Sequence, residues 1–420
     1  MMLREAKWVV VVDGQEGPGF DGVGTDGIAN AITFSPNSQR VGYGALRRGK
    51  WLVVLDGKEG PEFDGIGGGP PLLFSPDSRR VAYVAMRGGK YLAVVDGNEG
   101  PEFDNIPRSH PIFSPDSERF FYAATNAGKW QVVVDGREGR PYDNVGDASF
   151  SPDSRRVAYR AERGGKHMVI VNAEEGPALN GVGGPRFSPD SQRIAYVGAT
   201  GLTEFMVVDG KKGKEYERVP RLVFSPDSRK VAYAAFHKPD GQKGMVVVNG
   251  EEGQVFDGIG HDTITFSPNN QRLAYAALRH GKWLVVVDGK EGTEFDGIGV
   301  GSLLFSPDSR RLAYTAQRAG KWQVVVDGQA GTEYDGLKDR GFSPDSRHVA
   351  WAARRGSKRL VVVDGKESQE YERVWPLVFD GPKRIRFLAA RYDELFTLEI
   401  LRVEIEIVEE QRPTQVPGEK

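Results

Sequence analysis

Six histidines, His110, His167, His237, His261, His280 and His348, are the side chains best able to trade protons or hold a metal near neutral pH. Each stands in a different stretch of the chain and no two share the spacing of a metal-ligand pair, so they read as ordinary strand and loop residues. A nucleophilic or phosphate-cradling site would carry its own local pattern. The chain has no Gly-x-Ser-x-Gly elbow, no His-Glu-x-x-His, no P-loop, and no Gly-x-Gly-x-x-Gly between a strand and a helix. It has no cysteine, which removes thiolate ligands, cysteine nucleophiles and disulfides together. The many aspartates sit in Ser-Pro-Asp-Ser and Val-Asp-Gly runs, where their chemistry is that of turns. No loop shows the dense alternating carboxylates of a calcium site. The expectation is a protein without catalytic activity, metal or cofactor.

Charge narrows the partners. The net charge is −2 with 27% charged residues, which calls for neither nucleic acid nor an acidic membrane. No apolar run approaches the roughly 18 residues of a membrane-spanning helix. The N-terminal residues run straight into Trp8 without the pattern of a signal peptide, which favours a soluble, cytoplasmic monomer.

The elements that would position any site come from internal repetition. Phe-Ser-Pro triplets begin at Phe34, Phe74, Phe113, Phe150, Phe187, Phe224, Phe266, Phe305 and Phe342, spaced 40, 39, 37, 37, 37, 42, 39 and 37 residues apart. A tenth unit follows at Phe379, where Phe-Asp-Gly-Pro replaces the triplet. Periods of this size belong to solenoids and propellers. Within a unit such as 72–106 the pattern resolves into four short apolar bursts separated by turn residues, with no helical periodicity. Ser75-Pro-Asp-Ser ends the first burst in a tight reversal. The second, 80–85, is apolar on both faces, so both faces must be covered by neighbouring sheets. A Gly-containing turn leads to the third, Asp-Gly ends it, and a Glu-Gly-Pro turn delivers a short fourth strand at 62–66.

The fold expected is therefore all-β, a β-propeller of about ten four-stranded blades in one closed ring, with two rings of six and four blades as the alternative. The insertion at 237–244 marks the handover in that alternative. The propeller spans 1–408, its last blade shared between N-terminal strands 8–23 and C-terminal strands 375–408, and 409–420 form a disordered tail. The Phe-Ser-Pro-Asp-Ser-Arg-Arg-Val-Ala-Tyr unit, repeated from residue 34 to about 390, resembles the TolB-like, WD-repeat-like β-propeller repeat. That resemblance implies a Phe-Ser-Pro strand lining a central channel, in a group used for protein contacts or as gating domains of peptidases. No peptidase domain is appended and the small N-terminal domain of the translocation protein is missing, so particular partners do not carry over.

Function then belongs to what varies between units. Arg47 and Lys50, Arg87 and Lys90, Arg163 and Lys166, Arg279 and Lys282, Arg318 and Lys321, and Arg355 and Lys358 flank the turns between strands two and three, and are expected to form a basic rim on one face. The segments leading into strand one are irregular and carry Asp26, Arg108, His110, Asp147, Arg186, Arg221, His261, Asp262 and Arg340, the candidate ligand- or partner-binding residues at the channel mouth. The reading is a non-catalytic scaffold binding another protein through one face. The alternatives are a module for a small anionic ligand or glycan, and a hydrolase or lyase with its site in the central channel.

Overall fold

The computed structural model describes residues 2–4, 7–25, 28–29, 32–67, 72–107, 111–237, 243–392 and 398–407. Asp26, Arg108, His110 and the 409–420 tail lie outside them. Every described element is a strand, and no described helix is long and apolar enough to cross a membrane. The strands form eleven antiparallel sheets, numbered here in chain order. Six belong to one compact unit, Met1–Glu215, and five to a second, Tyr216–Lys420.

Sheet 3 shows the plan. Its first strand comes in two pieces, Gly65–Ile66 and Leu73–Phe74, both paired along the second strand, Val81–Arg87. The third and fourth strands follow as Lys90–Val95 and Asn98–Phe103. The strand two to three turn, Gly88-Gly89, has φ of 57° and 79°, and the Asp96-Gly97 turn repeats this with 53° and 82°. Both are left-handed pairs of the kind that closes two-residue hairpins.

This chain path corrects the expected fourth strand. Asp-Gly alone makes the turn from strand three to strand four. Glu59-Gly60-Pro61 lies inside strand four, Lys58–Phe63. Asp64 then crosses to the next sheet, where Gly65–Ile66 opens strand one. Gly100 shows why the strand-four glycine stays small: a Cβ there would stand 3.1 Å from the Ala93 carbonyl oxygen and 3.2 Å from the Tyr122 hydroxyl of the following sheet.

As expected, strand two is apolar on both faces and buried on both. In sheet 3 Val81, Tyr83 and Ala85, with Ile66 of strand one, pack toward Val53 and Phe63 of sheet 2, while Ala82 and Val84 pack toward sheet 4 with Phe120 and Tyr122. An edge-to-face ring pair recurs between neighbours, with centroids 6.3 Å apart for Phe63 and Tyr83, 6.1 Å for Phe103 and Tyr122, and 6.4 Å for Phe295 and Tyr314.

The second link between neighbours is polar. Ser75 Oγ donates to Asp77 Oδ1 and accepts from the Arg80 amide. The Asp77 amide donates to Ser117 Oγ of sheet 4, and the Arg80 guanidinium, held by Asp96, donates to the Ser117 and Glu118 carbonyls there. The same bonds recur from Arg40, Arg119, Arg156, Arg272 and Arg311 to the sheet that follows each.

Val231–Phe236 and Gly244–Val248, the strands on either side of the 237–244 insertion, pair directly inside sheet 7, and residues 238–242 of that insertion lie outside the described residues. In sheet 11, Arg384–Tyr392 pairs with Leu398–Glu406 along nine residues. The N-terminal strand Lys7–Val12 pairs in turn with Met2–Arg4 and Gln15–Phe20.

Phe103 is 1% exposed in this packing, and Phe103→Ala is expected to cost about 3–5 kcal/mol in urea unfolding of the intact chain. Leu202→Ala, at a residue 83% exposed, is expected to change stability by no more than about 0.5 kcal/mol.

Candidate functional site at the strand-one edges

The rim between strands two and three is built of cations that are already engaged. Arg47 holds Glu59 through two nitrogens at 2.7 and 2.6 Å and lies 4.8 Å over the Phe20 ring of the preceding sheet. Arg87 repeats this with Glu99 and Phe63, Arg163 with Glu175 and Tyr142, Arg279 with Glu291 and Phe256, and Arg355 with Glu367 and Tyr334. Arg318 covers Phe295 and donates to the Glu294 carbonyl. Lys50, Lys90, Lys282 and Lys321 bind Asp64, Asp104, Asp296 and Asp335, and Lys358 binds Glu372. Only at Lys166, opposite Asn180, is the acid missing among the described residues. The basic rim is thus a set of local pairs, because each unit supplies its own acids in strand four and at the crossover.

The crossover aspartate has a second task. Asp64 Oδ2 accepts from the Gly88 amide of the next sheet while Oδ1 accepts from Lys50. Asp104 and Asp296 do the same with Ala127 and Ala319. The lysine first, then the backbone amide, holds each carboxyl below its ordinary 3.8. A depressed carboxyl contributes stability above its unfolded pKa and loses it as pH falls through the folded value. The thermal midpoint is therefore expected to be flat from pH 7 to about 5 and to fall below about pH 4. Asp64→Asn should flatten part of that acid limb, which a calorimetric pH series reads directly.

The irregular segments lie elsewhere than expected. Strand one starts beside the strand two to three turn, as Gly65 opposite Met86, and ends beside the Ser-Pro turn, as Phe74 opposite Val81. The variable residues interrupt it between these points. Where strand one is continuous, as in Asn144–Phe150 and Gly336–Phe342, the interruption is a bulge around Asp147 and around Asp339 and Arg340.

Of the candidates, Asp147 pairs at 3.3 Å with Arg160 of its own sheet. Arg186 lies exposed in the short strand Arg186–Phe187. Arg340 is spent on structure: its Nε donates to the Ser302 carbonyl at 2.9 Å and its NH2 to the Gly301 carbonyl at 2.6 Å, tying sheet 10 to sheet 9. Burial lowers its pKa without emptying its charge. Arg221, His261 and Asp262 do converge. Arg221 bonds Asp262, whose other oxygen lies 2.9 Å from His261 Nδ1, at the mouth of a cleft of ≈ 400 Å³ floored by Pro220, Phe236 and Ile259. With the carboxylate matched by arginine and His261 72% exposed, the cluster offers polar contacts, not a desolvated acid or base.

The remaining histidines stay apart, each beside an acid or turn of its own sheet: His167 by Glu162, His237 by Glu252, His280 in a turn, and His348 on Asp364 at 2.6 Å. Among the described residues no three histidines or carboxylates gather as metal ligands.

A second cleft, of ≈ 320 Å³, was not foreseen. It lies between sheets 10 and 11, lined by Leu337, Val374 and Trp375 with Lys338, Arg354, Arg359 and Arg373, against the single carboxylate of Asp339. Its residues are departures from the repeat: Arg359 stands where Trp51, Trp283 and Trp322 stand, and Arg373 and Lys338 where other units have glycine. Those departures are visible in the sequence, but their meeting across two sheets is not.

Four-stranded antiparallel sheets in sequential order, each stacked on the next within its unit, are blades of the β-propeller type, the class that the TolB-like, WD-repeat-like repeat implies. No protein-family model and no curated protein matches the chain. Similar solved structures include a eukaryotic initiation factor (13% identity over 76% of this chain and 91% of that one, TM-score 0.40) and TolB from Acinetobacter baumannii (16%, 62% and 77%, 0.28). The Dos1 propeller is similar at 12% identity, over 73% and 93%, with a TM-score of 0.32. At such scores the likeness carries no weight, and the fold rests on the chain's own sheets.

Proposed function

We propose that the protein is a non-catalytic scaffold that binds a protein partner along the strand-one edges of its sheets. The observation that carries this reading is a division of labour within the repeat. Residues that recur from unit to unit are consumed in links between sheets: the Ser-Pro-Asp-Ser turn, the strand-two arginines, the crossover aspartate. Residues that differ gather where strand one is interrupted, held on a rigid frame as recognition residues usually are. In the same reading the sheets close into a single ring of about ten blades, which class averages from electron microscopy would count. A second reading, capture of a small anion at a strand-one cleft, is favoured by the excess of cations around Arg359.

Affinity capture tests the first reading, using the intact chain, the triple variant R221A/H261A/D262A, and Lys58→Ala on the opposite turns as control. A stoichiometric partner kept by the control and weakened at least tenfold by the triple variant is the expected result. A partner held equally by all three overturns it.

A further inference from the structure

We propose that the cleft between sheets 10 and 11 is a binding site for a small phosphate monoester with an apolar or aromatic body. This inference rests on the anion-capture reading above and gives it a site and a ligand class.

The first observation is a like-charge pair. Arg354 and Arg359 are directly opposite each other in the antiparallel register. The same cross-strand positions hold Leu46 and Trp51, Leu278 and Trp283, and Gln317 and Trp322 in other sheets. Two like charges directly opposite one another are destabilising, where an aliphatic and an aromatic side chain attract. Neither arginine forms an ion pair: Arg354 donates to the Gly356 and Asp335 carbonyls, its charge felt by the Asp335 carboxylate that Lys321 already binds, and Arg359 has no side-chain partner among the described residues. Rim arginines of other sheets, such as Arg47, Arg87 and Arg279, each hold a glutamate.

The second observation is Arg373. It fills the slot of Gly65 and Gly258, and only sheet 7 has an arginine in the same place. There Arg218 lies 4.6 Å over the Phe236 ring. Arg373 instead faces Ala390 in the register and lines the cleft. The neighbouring Glu372 does not neutralise it, because Glu372 is bound by Lys358.

The ligand chemistry follows from the count and the shape. Four cations against Asp339 leave an excess that one carboxylate does not match. A phosphate monoester brings about −1.5 to −2 charges at pH 7 and three acceptor oxygens. Guanidinium groups meet such oxygens two at a time. Leu337, Val374 and Trp375 supply the apolar wall for the rest of the molecule, and ≈ 320 Å³ lies at the small end of ligand sites.

The test is titration calorimetry of the full chain with phenyl phosphate, and with citrate as a polycarboxylate, at 20 and 200 mM salt. The variants Arg359→Trp and Arg373→Gly restore the repeat's own residues and so keep the frame. Phenyl phosphate is expected to bind with a Kd below about 1 mM at low salt. Each variant should weaken it at least tenfold, and affinity should fall from pH 8 to pH 5 as the phosphate takes up its second proton. Arg359→Trp should also raise the melting temperature of the free protein by removing the arginine pair. Absence of phenyl phosphate binding, or equal binding by the double variant, overturns the proposal. If citrate alone binds and the variants abolish it, the phosphate class fails while anion capture stands; if neither binds, both fail.

Discussion

A sheet that is apolar on both faces cannot stand alone in water, and the rest of this structure depends on that constraint. The middle of strand two, as in Val81 to Ala85, is buried to within a few per cent on both sides. A single four-stranded sheet would leave both of those faces wet and could not offset the entropy of ordering its own chain. Stability is therefore a property of neighbours, and the chain meets the requirement by repeating one unit.

Apolar stacking is not directional, so polar bonds set the register. One end of each sheet is fixed by the Ser-Pro-Asp-Ser turn and a strand-two arginine reaching the next sheet's carbonyls, the other by the crossover aspartate that grips the next hairpin. These side chains are charged and partly exposed, and their worth lies in geometry more than in Coulomb energy. The rim cations close to those links are occupied, whereas in strand one a bulge or a broken strand relaxes the ladder. The last interface departs furthest from the plan. His348 replaces the arginine, or Lys230 in sheet 7, that reaches the next sheet, sheet 11 has no Ser-Pro-Asp-Ser turn to receive one, and the arginine-rich cleft lies there.

Much of this was legible in the chain. The Phe-Ser-Pro period placed the units, and two-faced apolarity of the second strand predicted the stacking, because burial on both faces writes itself into every position. The fourth strand was misplaced because Glu-Gly-Pro carries turn residues, yet Gly60 and Pro61 sit in a strand whose glycine makes room for a neighbour's tyrosine. The pairing within the basic rim is not legible along the chain for a related reason: Arg47 and Glu59 are twelve residues apart and meet only because strands two, three and four lie side by side.

The sequence by itself determined the repeat, the all-β class, the turn chemistry and the residues that break the pattern, since each of these depends on spacing along one chain. Only the tertiary structure decided which charges are spent and which are free. Pairing of Arg87 with Glu99, convergence of Arg221 with His261 and Asp262, and the facing of Arg354 and Arg359 beside Arg373 are all matters of register between strands and contact between sheets. Those distances are set by how the sheets pack, and a side chain's chemistry follows from what packing places next to it.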